Sequence, residues 1–85
     1  MVVIEVKRNG EVIQDNQYPT VADARVKFND WHAYFTEEGF NITVKPDGMP
    51  RPTRGQPRLT AWRGQGPSAT VYDVWLLEFT NEVAK

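Results

Sequence analysis

Thr70-Val71-Tyr72-Asp73-Val74-Trp75-Leu76-Leu77-Glu78-Phe79-Thr80 is the longest apolar run in the chain. Its β-branched and aromatic content, following the Gly64-Gln65-Gly66-Pro67 break, predicts a β-strand. Side chains alternate along a strand. One face then carries Val71, Trp75, Leu77 and Phe79, interrupted by Asp73, and the other carries Tyr72, Val74 and Leu76. A half-wet strand would show polar residues on one face; this one is apolar on both. It is therefore central and covered on both sides, or it presents apolar surface to a partner.

Working back from this run, Leu59 to Arg63 reads as a short strand and Gly64 to Ser68 as a turn. Before them, Met49-Pro50-Arg51-Pro52-Thr53-Arg54-Gly55-Gln56-Pro57-Arg58 holds three prolines, which exclude helix and central strand. With the preceding Pro46-Asp47-Gly48 turn it predicts a long exposed loop at about 46–58. Phe40, Ile42 and Val44 alternate with Asn41, Thr43 and Lys45, a strand with one buried face. Val21, Ala24, Phe28, Trp31 and Phe35 recur at spacings of three and four, the apolar stripe of a helix. Thr20 is its N-cap, with Asp23 in the first turn, and Gly39 fits the left-handed position after its end, with Phe40 as the hydrophobic contact that follows.

At the start of the chain, Val2, Ile4 and Val6 alternate with Val3, Glu5 and Lys7. Asn9-Gly10 is a strong hairpin signal, because both turn positions need positive φ. A two-residue loop pairs Arg8 with Glu11 and Val6 with Ile13. The second strand, about Glu11 to Gln17, fades into polar residues and reads as an edge. Asn81 to Lys85 reads as a frayed tail. The expected architecture is one α+β domain over residues 1–85, an amphipathic helix packed on a four- to five-stranded, largely antiparallel sheet.

Eighty-five residues bury only about 60 % of their unfolded surface, so stability rests on a few large side chains. Three Trp, four Phe and three Tyr supply them. The chain has no cysteine, which excludes disulfides, thiolate metal sites and thiol nucleophiles. The N-terminus lacks the pattern of a signal peptide, and no apolar run approaches the roughly 20 residues of a membrane span. The expected setting is cytoplasmic, without membrane association.

Catalytic chemistry finds little support. His32 is the single histidine and lies beside the helix stripe, a half-buried boundary position. A general base needs a nucleophile or substrate to serve, and Ser68 sits in a glycine-rich turn. One histidine and no cysteine cannot make a zinc site. Gly64-Gln65-Gly66 lacks the third glycine and the helix of a dinucleotide fingerprint. Asp73, among apolar neighbours, needs a hydrogen-bonded or cationic partner if buried, and arginine is the natural one. The chain reads as non-enzymatic, with no cofactor.

Two surfaces remain as candidates. Residues Lys45 to Pro67 carry a net charge of +4, and the rest of the chain −5. Within that basic stretch Arg51, Arg54, Arg58, Trp62 and Arg63 combine cations with an aromatic, and Arg-Gly pairs flank the short strand. Such parts suit an acidic protein surface or, alternatively, nucleic acid, with arginines on phosphates and Trp62 stacking on bases. The second candidate is the strand face Tyr72, Val74 and Leu76, which a single helix leaves in water if it covers the opposite side. These surfaces together predict a small interaction or accessory protein that binds a protein partner or a second copy of itself. Accessory subunits and inhibitors of this size, those of phages among them, work by docking alone.

Overall fold

The Asn9-Gly10 turn closes the first hairpin, with φ of 51° and 87° at its two central residues. It joins strands β1 (Val2–Arg8) and β2 (Glu11–Tyr18). Asn9 also ties this tip to the far end of the chain. Its backbone N–H donates to the Val71 carbonyl at 2.7 Å, and its side-chain oxygen accepts from the Val71 N–H at 2.8 Å. Arg8 pairs with Glu11 as the turn dictates, but Val6 faces Gln14 rather than Ile13. A bulge between Val6 and Lys7 shifts the register by one residue, so the expected apolar pair is absent. The computed structural model describes residues 1–44, 48–53 and 57–79, with Arg58 described by its backbone alone. The expected tail, Asn81 to Lys85, lies outside the described residues, as do Pro46 and Asp47 of the predicted turn.

Helix α1 spans Val21–Glu37, starting where Thr20 accepts the Asp23 N–H on its hydroxyl oxygen at 3.1 Å. It ends where Gly39 takes φ 89°, which a side chain resists. There the Phe40 N–H donates to the Phe35 carbonyl and the Gly39 N–H to that of Thr36. Those two bonds, with the Phe35 and Phe40 rings 5.0 Å apart, make a Schellman ending sealed by its hydrophobic contact. The chain then enters β3 (Asn41–Val44), β4 (Arg58–Gln65) and β5 (Val71–Glu78).

The sheet order is β2-β1-β5-β4-β3, with every neighbouring pair antiparallel. One helix on a five-stranded antiparallel sheet is the α+β fold that the periodicities predict. The long apolar run is indeed central, between β1 and β4. Strand β4 is longer than expected and runs through Gly64. A Cβ on Gly64 would meet Ile42 and Trp62 at 3.2 and 3.3 Å, and one on Gly66 would sit 2.7 Å from the Phe40 ring. These glycines form the floor on which aromatic side chains lie, which a turn-based reading of them misses.

The five strands put the outer two about 19 Å apart, whereas a helix with its side chains is about 10 Å across. The helix therefore covers the middle of one face. Under it lie Val2, Ile4, Val6, Trp62, Val74 and Leu76 from the sheet and Ala24, Phe28 and Phe35 from the helix. Phe35 is the hub, with ring centroids 5.5 Å from Trp31, 5.7 Å from Trp62 and 4.5 Å from Tyr72.

Candidate interaction surface

The first predicted surface is closed. Leu76 is 1 % exposed and Val74 fully buried, both beneath the helix, and Tyr72 packs on Phe35 and Phe40. The helix meets this face of β5 because β5 lies in the middle of the sheet, where the helix crosses. Tyr72, Val74 and Leu76 are core, and the expectation that they stand open to a partner is corrected.

The opposite face of β5 is the one that needs other cover, and the proline-rich segment supplies it. Val3, Ala61, Trp75 and Leu77 form a second apolar cluster, with Met49 and Phe79 packed against it. Two buried charges of β1 hold the segment in place. The Glu5 carboxylate, 0 % exposed, accepts the Thr53 N–H at 3.1 Å and the Thr53 hydroxyl. Lys7, also buried, donates from Nζ to the Arg51 carbonyl at 3.0 Å and lies 5.2 Å from the Trp75 ring centre. A buried carboxylate and ammonium are tolerable only with such partners. The described part of the predicted loop, residues 48–53, thus straps the sheet. The strand face anticipated for a partner thus lies under the helix, and the described part of the basic loop covers the opposite face.

Of the basic group, Trp62 does not share a surface with Arg63. Trp62 and Arg63 are adjacent on β4, so they point to opposite faces. Trp62 is 1 % exposed and packs against Phe28, Phe35 and His32. It is unavailable for stacking on a base. Its indole N–H is buried with no partner among the described residues. Arg63 is held by Asp73, Nε to Oδ1 at 2.7 Å and a second guanidinium N–H to Oδ2 at 3.3 Å. That hydrogen bond pushes the Arg63 pKa above its ordinary value, against an opposing effect of burial. The pairing answers the need of the buried Asp73. Arg51 is exposed at its side chain, while Arg54 and the side chain of Arg58 lie outside the described residues.

Like β3, whose residues are mostly exposed, β2 stays open. It occupies one margin of the sheet, and Glu11 to Gln17 are exposed along their whole length. The helix, narrower than the sheet, leaves it uncovered. Val12 and Ile13 are 38 % and 37 % exposed at the bulge. Beyond the bulge, Gln14 to Tyr18 pair regularly with Val6 to Val2, five residues of straight strand. Glu11–Tyr18 contains no lysine, arginine or proline, the residues that commonly blunt a sheet edge. An edge strand was legible in the fading hydrophobicity of this stretch, but its exposure along the whole of Glu11 to Gln17 was not. The clue lay in the width of the sheet.

Elsewhere, a hollow of about 380 Å³ along one flank of the helix is lined by Lys27, Asp30, Trp31 and Tyr34, without a nucleophile. Among the described residues, no cluster of three or more acidic, histidine or cysteine side chains is placed to hold a metal ion. No described helix is long and apolar enough to cross a membrane. Set against protein-family models, curated proteins and solved structures, the chain matches none.

Proposed function

We propose that this protein is a non-enzymatic interaction module that engages a protein partner by strand addition at the outer edge of β2. The observation that carries the reading is the open, regular run Gln14–Tyr18 at the sheet margin. An extended segment laid beside it gains main-chain hydrogen bonds, and side chains on alternate positions select the partner. Five residues is an ordinary strand length, sufficient for such a contact. An accessory or inhibitory role needs nothing more than this edge and a rigid sheet behind it. The aromatic that a nucleic-acid surface would use for stacking is in the core, so the protein-binding reading is preferred.

Site-resolved cross-linking tests the proposal. A photoreactive benzophenone residue is placed at Asn16 or Gln17 and, as a control, at Val26 on the outer helix face, where the side chain is exposed. In extract of the source cells, a discrete cross-linked species is expected from positions 16 and 17 and not from 26. A species at twice the monomer mass identifies a second copy as the partner. Equal cross-linking from position 26, or none from 16 and 17, overturns the reading.

A further inference from the structure

The straight run Gln14–Tyr18 is bounded symmetrically about Asn16. Ile13, which has no facing residue on β1, bulges three positions before it, and Pro19, without an N–H to give, stands three positions after it. A second copy laid antiparallel about a two-fold axis at Asn16 sets Gln14 against Tyr18, Asp15 against Gln17 and Asn16 against its own counterpart. All five residues are then used on both sides. The bulge of each copy falls opposite the proline of the other, so pairing stops where both backbones cease to be regular. An axis at Asp15 sets that carboxylate against its own copy, an unfavourable like-charge pair. An axis at Gln17 sets Asp15 against Pro19 and Gln14 against Thr20, beyond the strand. Only the Asn16 register fits the run to itself.

The side chain at that centre suits the arrangement. Asn16 gives one N–H to Gln14 at 3.4 Å, and keeps its second N–H and its side-chain oxygen for the same groups of the second copy. The net charge of −1 adds little repulsion between copies. Resting on the strand-addition reading, we infer that the segment accepted by β2 is β2 of a second copy, joined at Asn16 into one continuous sheet. The opposite margin, β3, has four residues, Asn41–Val44. Joining it to β2 of the next copy would propagate an open filament, whereas β2 on β2 closes as a dimer.

Because the chain has no cysteine, single cysteines report the register. Directly opposed residues of an antiparallel pair have Cα atoms about 4.5–5.5 Å apart, within the roughly 4.4–6.8 Å span of a disulfide. Asn16→Cys is therefore expected to give a covalent dimer in a glutathione redox buffer. Gln14→Cys lies four residues, or about 14 Å, from its counterpart, and Val26→Cys is exposed on the outer helix face. Each is expected to give about tenfold less dimer, as collision without a raised effective concentration provides. Sedimentation equilibrium of the unaltered chain up to about 1 mM should show one transition, from 9.8 kDa to twice that mass. Asn16→Lys opposes two like charges at the axis and should raise the dissociation constant about two- to fivefold. A monomer throughout, masses beyond the dimer, or Gln14→Cys or Val26→Cys linking as readily as Asn16→Cys would overturn self-pairing. The benzophenone experiment judges strand addition separately. Cross-links from Asn16 and Gln17 at masses other than twice the monomer would keep it with a different partner, and none at all would remove both.

Discussion

Replacing Thr53 by alanine tests whether the strap is anchored by Glu5 or merely rests on it. The hydroxyl donates to a carboxylate with no exposed surface, and the backbone N–H of the same residue donates to its other oxygen. Hydrogen bonds to charged groups contribute about 1.5–3 kcal/mol each. Thr53 itself is at the surface, so in Thr53→Ala water reaches the vacated oxygen and recovers part of that amount. A net loss of about 1 kcal/mol is expected. Glu5→Gln keeps one acceptor but turns an amide group toward one of two Thr53 donors, a loss of about 1–3 kcal/mol. Because the two changes remove the same interaction, the double variant should lose less than their sum, with a coupling of about 1 kcal/mol. Urea unfolding followed by tryptophan fluorescence measures this, with Trp75 under the strap as a reporter. For 85 residues the entropy of unfolding is about 180 cal/mol/K, so 1 kcal/mol appears as about 5–6 °C in Tm. Independent sites add within about 0.5 kcal/mol. Coupling below that level, together with a Thr53 amide that exchanges as fast in wild type as in Glu5→Gln, would refute the anchoring.

Three further outcomes follow from the packing. Leu76→Asp should abolish folding, read as loss of near-ultraviolet circular dichroism, since it places a carboxylate in a buried position under the helix; a folded, soluble variant would mean that the face is open after all. Arg63→Ala should cost more than Asp73→Ala in chemical denaturation, because it strands the buried carboxylate, whereas an unpaired Arg63 can reach water from its partly exposed position; the breaking of a buried pair costs about 3–5 kcal/mol at most, and the reverse ranking would contradict the geometry. Gly66→Ala should lower stability by about 1–3 kcal/mol through the 2.7 Å approach to Phe40, and Gly64→Ala by less, where the nearest contacts are 3.2 and 3.3 Å; equal thermal midpoints for the two would argue that Phe40 moves aside freely.

The elements that depend on neighbours in sequence were legible from sequence. The helix stripe, the Thr20 cap, the Gly39 ending and the Asn9-Gly10 turn all act within a few residues, and each stands where the pattern put it. The central place of β5 was one of the two readings that its apolar faces allowed. Which face the helix takes was not legible, because alternation in Val71–Glu78 is symmetrical and only the sheet order breaks the tie. Glu5 and Lys7 looked like a wet face beside Val2, Ile4 and Val6. They are buried because their partners, Thr53 and Arg51, lie 48 and 44 residues away. Arg58, Trp62 and Arg63 looked like one basic-aromatic group because they are close in sequence. Strand alternation separates Trp62 from Arg63, and Asp73 takes up the arginine. The one-residue bulge at Ile13 has no local signature in Glu11–Gln14 that the turn rule could read.

The last of the described strands, β5, is the one on which the sheet closes. Until the ribosome has released residue 78, β1 and β4 have no common neighbour, and the N-terminal hairpin and the β3–β4 hairpin are separate pieces. Pairing Val2 with Glu78 joins positions 76 residues apart, a non-local contact of the kind that slows folding. Loss of the C-terminal quarter therefore divides the protein rather than trimming it, and a nascent chain halted before that point would expose two apolar margins at once.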